Sequence, residues 1–260
     1  MRLLKLKIDI NCDLGESYGH FRVGQDVEIM PQITSANVAC GFHAGDPSTM
    51  AHTVELAKRF RVAVGAHPGF PDLVGFGRRE MKLKPEENKN YVIYQIGALQ
   101  TFAGASRLRL QHVKPHGALY NMATRDARLA ETILEAVKFV DPELIIFAPP
   151  KSIMAKVASK MGFRVAFEAF ADRAYNVDGT LVSRDKPKAV IENPKLVVER
   201  VVKMVTKGTV QAIDGGTVDL GKIHTICVHS DTPNAAELAK AVKSRLLAAK
   251  IDVKPVGSFL

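Results

Sequence analysis

The chain has 260 residues, enough for one substantial core and close to the length of a single (β/α) barrel. Hydrophobic residues make up 47% and charged residues 24%, which excludes disordered and collagen-like chains, and no apolar run approaches the ~18 residues of a membrane span. The formal charge of +9 is spread among acids on helical segments with no basic–aromatic tract, so nucleic acid is not expected as a partner, although part of the excess suits an acidic ligand.

In chain order, Met1-Arg2-Leu3-Leu4-Lys5-Leu6-Lys7 is too interrupted by lysine for a secretory leader, which makes the cytoplasm the expected compartment. Strand-like runs follow at Leu4–Ile10, Ser35–Ala39, Val62–Ala66, Leu110–Val113, Leu144–Ala148, Val165–Phe167 and Thr225–Val228. Between them the apolar spacing predicts helices, notably Asp46–Phe60, Asp126–Val140 and about Pro233–Lys250. Pro47, Pro85, Pro194 and Pro233 suit first helical turns. Asp46, Asn193 and Thr232 suit the caps before three of them, and Gly162 and Gly208 suit helix ends. Seven strand–helix units, with a possible eighth strand near Ile251–Pro255, predict a parallel α/β sheet in one domain spanning residues 1–260. An open doubly wound sheet would share the alternation. Polar residues after nearly every strand favour a barrel, because an open sheet gathers its site at one switch point. Pro68–Leu83 and Ala171–Asn193 are long connections rich in Gly, Asp and Arg, as active-site loops often are.

The strand ends carry the chemistry. Asn11-Cys12-Asp13-Leu14-Gly15-Glu16 follows the first; Asn37 and then His43 the second; His67 the third; Lys114-Pro115-His116 the fourth. Glu168, Asp172 and Arg173 come with the sixth, and His229-Ser230-Asp231 with the seventh. In a parallel barrel these positions converge on one mouth. Individually many have plain structural explanations. Asp46 reads as a cap, His52 as surface, His112 as structural and His224 as lying at the end opposite the mouth, while His20 has no evident partner. Cys12, Cys40 and Cys227 read as buried, inert thiols; their odd number and lack of a C-x-x-C pair argue against a disulfide framework.

Gly216-Thr217-Val218-Asp219-Leu220-Gly221-Lys222 only imitates a P-loop, since Ile223 replaces the magnesium-binding hydroxyl and no helix follows. Asp13, His43, His67, His116 and His229 could supply metal ligands from different strands, and three with an open position would suffice to activate water. None has a diagnostic local spacing, so no resident metal is assigned.

The segments N-C-D-L-G-E-S-Y-G, S-A-N-V-A-C-G-F-H-A-G-D, V-G-A-H-P-G-F-P-D, H-V-K-P-H-G-A-L-Y, E-A-F-A-D-R-A-Y and I-C-V-H-S-D-T-P resemble, in order, the LamB/YcsF family of 5-oxoprolinase A-subunits. The resemblance spans about Lys7 to Lys250. It implies a distorted parallel barrel of glycoside hydrolase/deacetylase type with about seven units. It also implies ATP-dependent opening of 5-oxoproline to glutamate, with partner subunits B and C and with ATP and its Mg2+ handled largely by those partners.

On that substrate, Asp13, Glu16, His67, Lys114, His116 and Glu168 are the expected catalytic residues. His116 or His67 suits the base, Asp13 would orient it, and Glu16 or Glu168 could supply a proton. Lys114 and Arg173 would hold anionic oxygens, with Arg78 as a mobile clamp. Asn37 would position the amide, and His43, Asp172, His229 and Asp231 complete the expected substrate contacts. The competing readings are a stand-alone metal-dependent deacetylase or amidohydrolase, and a non-catalytic substrate-binding subunit.

Overall fold

The computed structural model describes residues 5–230 and 234–260. Its centre is a closed ring of seven parallel strands: β1 (Lys7–Leu14), β2 (Ser35–Ala39), β3 (Ala63–His67), β4 (Leu110–Val113), β5 (Ile145–Ala148), β6 (Val165–Phe170) and, past a hairpin, β9 (Thr225–Val228). Closure is made by β1 against β9, with Asp9 opposite Thr225 and Cys12 opposite Val228. The hairpin between β6 and β9, β7 (Thr209–Gln211) with β8 (Thr217–Asp219), lies outside the ring, and the false P-loop begins at its turn and runs past β8. The expected eighth strand is β10 (Asp252–Val253), which pairs with Lys7 and Ile8 at the base of β1.

Helices α1 (Asp26–Ile29), α2 (Pro47–Phe60), α3 (Pro85–Ala105), α4 (Gly117–Ala123), α5 (Ala127–Val140), α6 (Ile153–Lys160), α7 (Pro194–Lys207) and α8 (Ala235–Ala248) link the strands. Their ends follow from local chemistry. Asp46 accepts from the backbone N–H of Ser48 and Thr49 at 2.9 and 3.0 Å, and Asn193 and Asp126 cap α7 and α5 in the same way. Gly208 ends α7 at φ 65°. The expected start of the last helix, Thr232 and Pro233, lies outside the described residues; α8 begins at Ala235.

Each ring strand has two unlike faces. Ile8, Ile10, Cys12 and Leu14 of β1 point outward and are fully buried in the apolar layer, with Val54, Leu99, Ile133 and Leu134 of the helices. The alternate residues point into the barrel and on most strands are polar, while β5 and β6 contribute a small apolar floor of Ile145, Phe147 and Ala166. Asp9 accepts from Thr34, Ser35 and Thr225 hydroxyls at 2.5–2.7 Å, and Asn11 donates to Thr225 and Glu168. A (β/α) barrel more commonly fills this space with branched apolar residues. Space for so much polarity is created locally. A Cβ on Gly65 would fall 2.2 Å from His112 Nε2, so only glycine lets that imidazole lie across the interior, stacked on Phe147 at 4.0 Å.

Candidate active site

The inward residues continue upward into a mouth cavity of about 1130 Å3, lined by Asp13, Glu16, His67, Arg78, Lys114, His116, Glu168, Arg173 and His229. Period-two alternation explains the floor: Asn11 and Asp13 share the inner face of β1, His112 and then Lys114 just past its end follow that of β4, and Cys227 and then His229 just past its end follow that of β9. Asp13 therefore lies within β1, which runs four residues beyond its expected end at Ile10.

Lys114 is the hub. Its ammonium lies 2.9 Å from Asp13 Oδ1, 3.0 Å from Glu168 Oε1, 3.2 Å from Asn11 Oδ1 and 3.1 Å from Cys227 Sγ. Burial opposes that charge, but the carboxylates around it hold the Lys114 pKa well above the usual lysine range. Burial alone would raise the Asp13 carboxyl; the adjacent His67 ring and the Lys114 ammonium overcome it and hold Asp13 well below the usual range. Glu168 takes a third bond, from the Tyr120 hydroxyl at 2.6 Å. Burial and the Glu168 charge in turn push the Tyr120 phenol well above its ordinary pKa, so it stays protonated.

Two imidazoles stand beside this hub. His67 Nδ1–H donates to the Lys114 carbonyl at 2.6 Å, which leaves Nε2 3.4 Å from Asp13 Oδ1. His116 Nε2–H donates to the Phe76 carbonyl at 2.8 Å, leaving Nδ1 3.0 Å from His67 Nε2 and 3.5 Å from Glu16 Oε1. Gly77 makes this possible: at φ 63° its missing Cβ would meet His43 at 2.6 Å and His116 at 2.9 Å. Burial, with the His67 ring beside it, lowers the His116 pKa well below the usual histidine value.

Three expected substrate contacts stand behind the cavity wall instead. Asn37 pairs with Asp13 across β1 and β2 and spends its amide on Asn11 and Asp13, both at 2.7 Å, while its oxygen accepts from His112 Nε2 at 2.7 Å. His43 is stacked flat on His116 at 3.6 Å. Asp172 faces His229 Nδ1 at 2.8 Å and orients that ring. Their side chains position the residues that do face the cavity. Asp231 lies outside the described residues. Arg78 reaches the rim exposed, over the Phe76 ring, and Arg173 is anchored on the Val182 carbonyl at 2.6 Å.

Other residues keep the plain roles expected of them: His52 and His20 are exposed, and His224 packs on Phe167 away from the cavity. All three cysteines are buried, and burial pushes the Cys227 thiol up although it touches the Lys114 ammonium. The signal for that contact was the place of Cys227 two residues before His229 on a strand. Tyr120 was also missed; it lies one helical turn after His116 and so returns to the same cavity.

Among the described residues no helix is long and apolar enough to cross a membrane. The chain is 52% identical to the 5-oxoprolinase A-subunit of Pyrococcus furiosus over 98% of this chain and all of that protein. It is 54% identical to the protein of the same name from Thermococcus onnurineus, with the same coverage. The crystal structure of a lactam utilization protein from Thermus thermophilus superposes with a TM-score of 0.90 at 50% identity, covering 96% of this chain and 99% of that one. The LamB/YcsF family model matches residues 8–260, the segments that build the ring and its mouth, and the chain therefore belongs to the LamB/YcsF family.

Proposed function

We propose that this chain is the lactam-opening component of an ATP-dependent 5-oxoprolinase, acting in the cytoplasm with partner subunits B and C, which handle most of the binding of ATP and its Mg2+. The relatives' names supply the substrate class. The observation that carries the reading is the meeting of Asp13, His67, Lys114 and His116 on the floor of one cavity.

A lactam carbonyl is a poor electrophile and its nitrogen a poor leaving group. Transfer of a phosphoryl group from ATP to the carbonyl oxygen gives ADP and an imidate-like phosphate. Water adds to the carbon, and the C–N bond breaks with its electron pair going to nitrogen, which takes up a proton. The acyl phosphate left behind is hydrolysed by a second water to glutamate and phosphate. The lone pairs of His67 and His116 mark where the attacking water is activated, and Asp13 holds it in line. Lys114 and Tyr120 keep protons on either side of Glu168 and serve the departing nitrogen. Arg78 and Arg173, on opposite loops of the mouth, suit the phosphoryl and carboxylate oxygens.

The test is glutamate release from 5-oxoproline by the chain combined with its partner subunits and ATP. Failure of the complete complex to release glutamate sinks the function. Full activity in the His116→Ala complex removes that imidazole from the chemistry.

A further inference from the structure

His67 and His116 cannot both be satisfied by their own protons. Each neutral imidazole carries one N–H. His67 spends its proton on the Lys114 carbonyl and His116 on the Phe76 carbonyl, at 2.6 and 2.8 Å. The two nitrogens that face each other, His67 Nε2 and His116 Nδ1, thus present bare lone pairs 3.0 Å apart. Such an arrangement needs a cation between the rings, either a proton or a metal ion.

The surroundings distinguish the two. A shared proton satisfies a single contact between two nitrogens. Here Glu16 Oε1 lies 3.5 Å from His116 Nδ1 and Asp13 Oδ1 lies 3.4 Å from His67 Nε2. A tetrahedral site with metal–ligand bonds of about 2.0–2.1 Å has ligand–ligand edges of roughly 3.3 Å. The His67–His116 and His116–Glu16 separations lie near that edge, and the ligand atoms of all three residues fall within 4.8 Å of one another. The backbone carbonyls that accept the outer N–H groups are the support that metal-bound histidines commonly have. Part of that support is strained: Phe76, whose carbonyl fixes His116, adopts φ 53°.

The neighbouring residues narrow the ligand set. His43 lies parallel to His116 with the planes 4° apart, so one ion cannot lie in both ring planes. His43 Nε2–H instead faces Glu16 Oε1 at 3.2 Å and orients that carboxylate. A second gathering of ligand atoms, Asp13, Cys227 and His229, is already served by the Lys114 ammonium, 2.9 Å from Asp13 and 3.1 Å from Cys227.

We propose that His67 Nε2, His116 Nδ1 and Glu16 Oε1 bind one divalent transition-metal ion of the zinc class, with an open position beside Asp13 and the cavity. Two imidazoles and a carboxylate suit Zn2+, Co2+ or Mn2+ better than Ca2+ or Mg2+. Such an ion lowers the pKa of a bound water, and that gives the two imidazoles their part in water activation. The site itself stands on its donor atoms whatever the substrate; only its use in lactam opening rests on the function proposed above.

The experiment is a Co2+ titration of the chelator-stripped full chain, read by visible d–d absorption and by metal analysis after gel filtration. One ion per chain is expected, with bands of a four- or five-coordinate nitrogen–oxygen site. His67→Gln and His116→Gln should each weaken binding by about 100-fold or more, while Cys227→Ser leaves it unchanged. Circular dichroism of each variant confirms folding, and the parent titration stands without any variant. Absence of stoichiometric Co2+ binding by the folded parent overturns the proposal. So does binding that survives both histidine substitutions, or imidazole 15N shifts in the metal-supplemented parent that show a proton shared between the rings. Glutamate release is scored separately: metal binding without lactam opening sinks the proposed reaction alone, and full lactam opening by the stripped complex sinks the metal site's part in it.

Discussion

The two faces of the ring strands do different work. Outward residues such as Ile8, Ile10 and Leu14 join Ile133 and Leu134 of α5 in an apolar layer that needs shape and volume but no particular partner. Inward residues such as Asp9, Asn11 and Asp13 are buried too, yet each is defined by named hydrogen bonds. The outer layer gains stability from packing. The interior spends stability on holding charge and lone pairs in fixed places. A strand can serve both ends because successive side chains leave it on opposite sides.

The sharpest way to break this contrast is Lys114→Met. It leaves Asp13 and Glu168 buried without their shared cation, and the expected loss is about 3–5 kcal/mol by urea unfolding, together with loss of glutamate release. A variant as stable as the parent would show that the interior does not depend on this charge pairing.

On the outer layer, Leu134→Ala should cost about 3 kcal/mol by removing packing atoms. Its activity per folded molecule should match the parent. Activity falling in step with stability would show that the two faces are not separable.

The inner face should also respond to pH where the outer face does not. Burial pushes the Asp9 carboxyl up to about 6 from 3.8, against the lowering effect of its Thr225, Thr34 and Ser35 hydrogen bonds. The folded protein therefore holds that proton more tightly than the unfolded chain. The contribution is present below about pH 4 and is lost as pH rises through about 6, for a total of about 2–3 kcal/mol. Asp9→Asn cannot titrate, so the parent should lose that much stability relative to the variant between pH 4 and pH 7. Parallel stability–pH curves would refute it.

The smallest effect belongs to neither face. Asp46→Ala removes the cap of α2 and should cost about 1 kcal/mol without touching the cavity floor. A change in catalysis larger than its change in stability would connect this cap to the mouth.

The same contrast explains what the sequence revealed. Strands with ordinary apolar runs were legible: Ser35–Ala39, Leu110–Val113 and Thr225–Val228 match β2, β4 and β9. The seven-unit barrel and the convergence of Asp13, His67, Lys114, His116 and Glu168 were legible as well. Strands with charged inward residues were cut short. Asn11 and Asp13 read as a loop after Ile10, and Glu168 as an end after Phe167, although β1 runs to Leu14 and β6 to Phe170. Polar residues normally signal exposure, and here they face a buried polar interior. The placement of Asn37, His43 and Asp172 behind the cavity was not legible either, because strand position gives direction and not depth. The outer hairpin of β7 and β8 escaped notice because its strands are only three residues each.

Gly65 carries a consequence for inheritance. Any side chain at position 65 collides with the imidazole at 112, and loss of that imidazole strips Asn37 of the donor that fixes its amide toward Asp13. A single change at either position breaks this arrangement. Lineages descending from this protein should change 65 and 112 together or keep both, so the two positions evolve as one character.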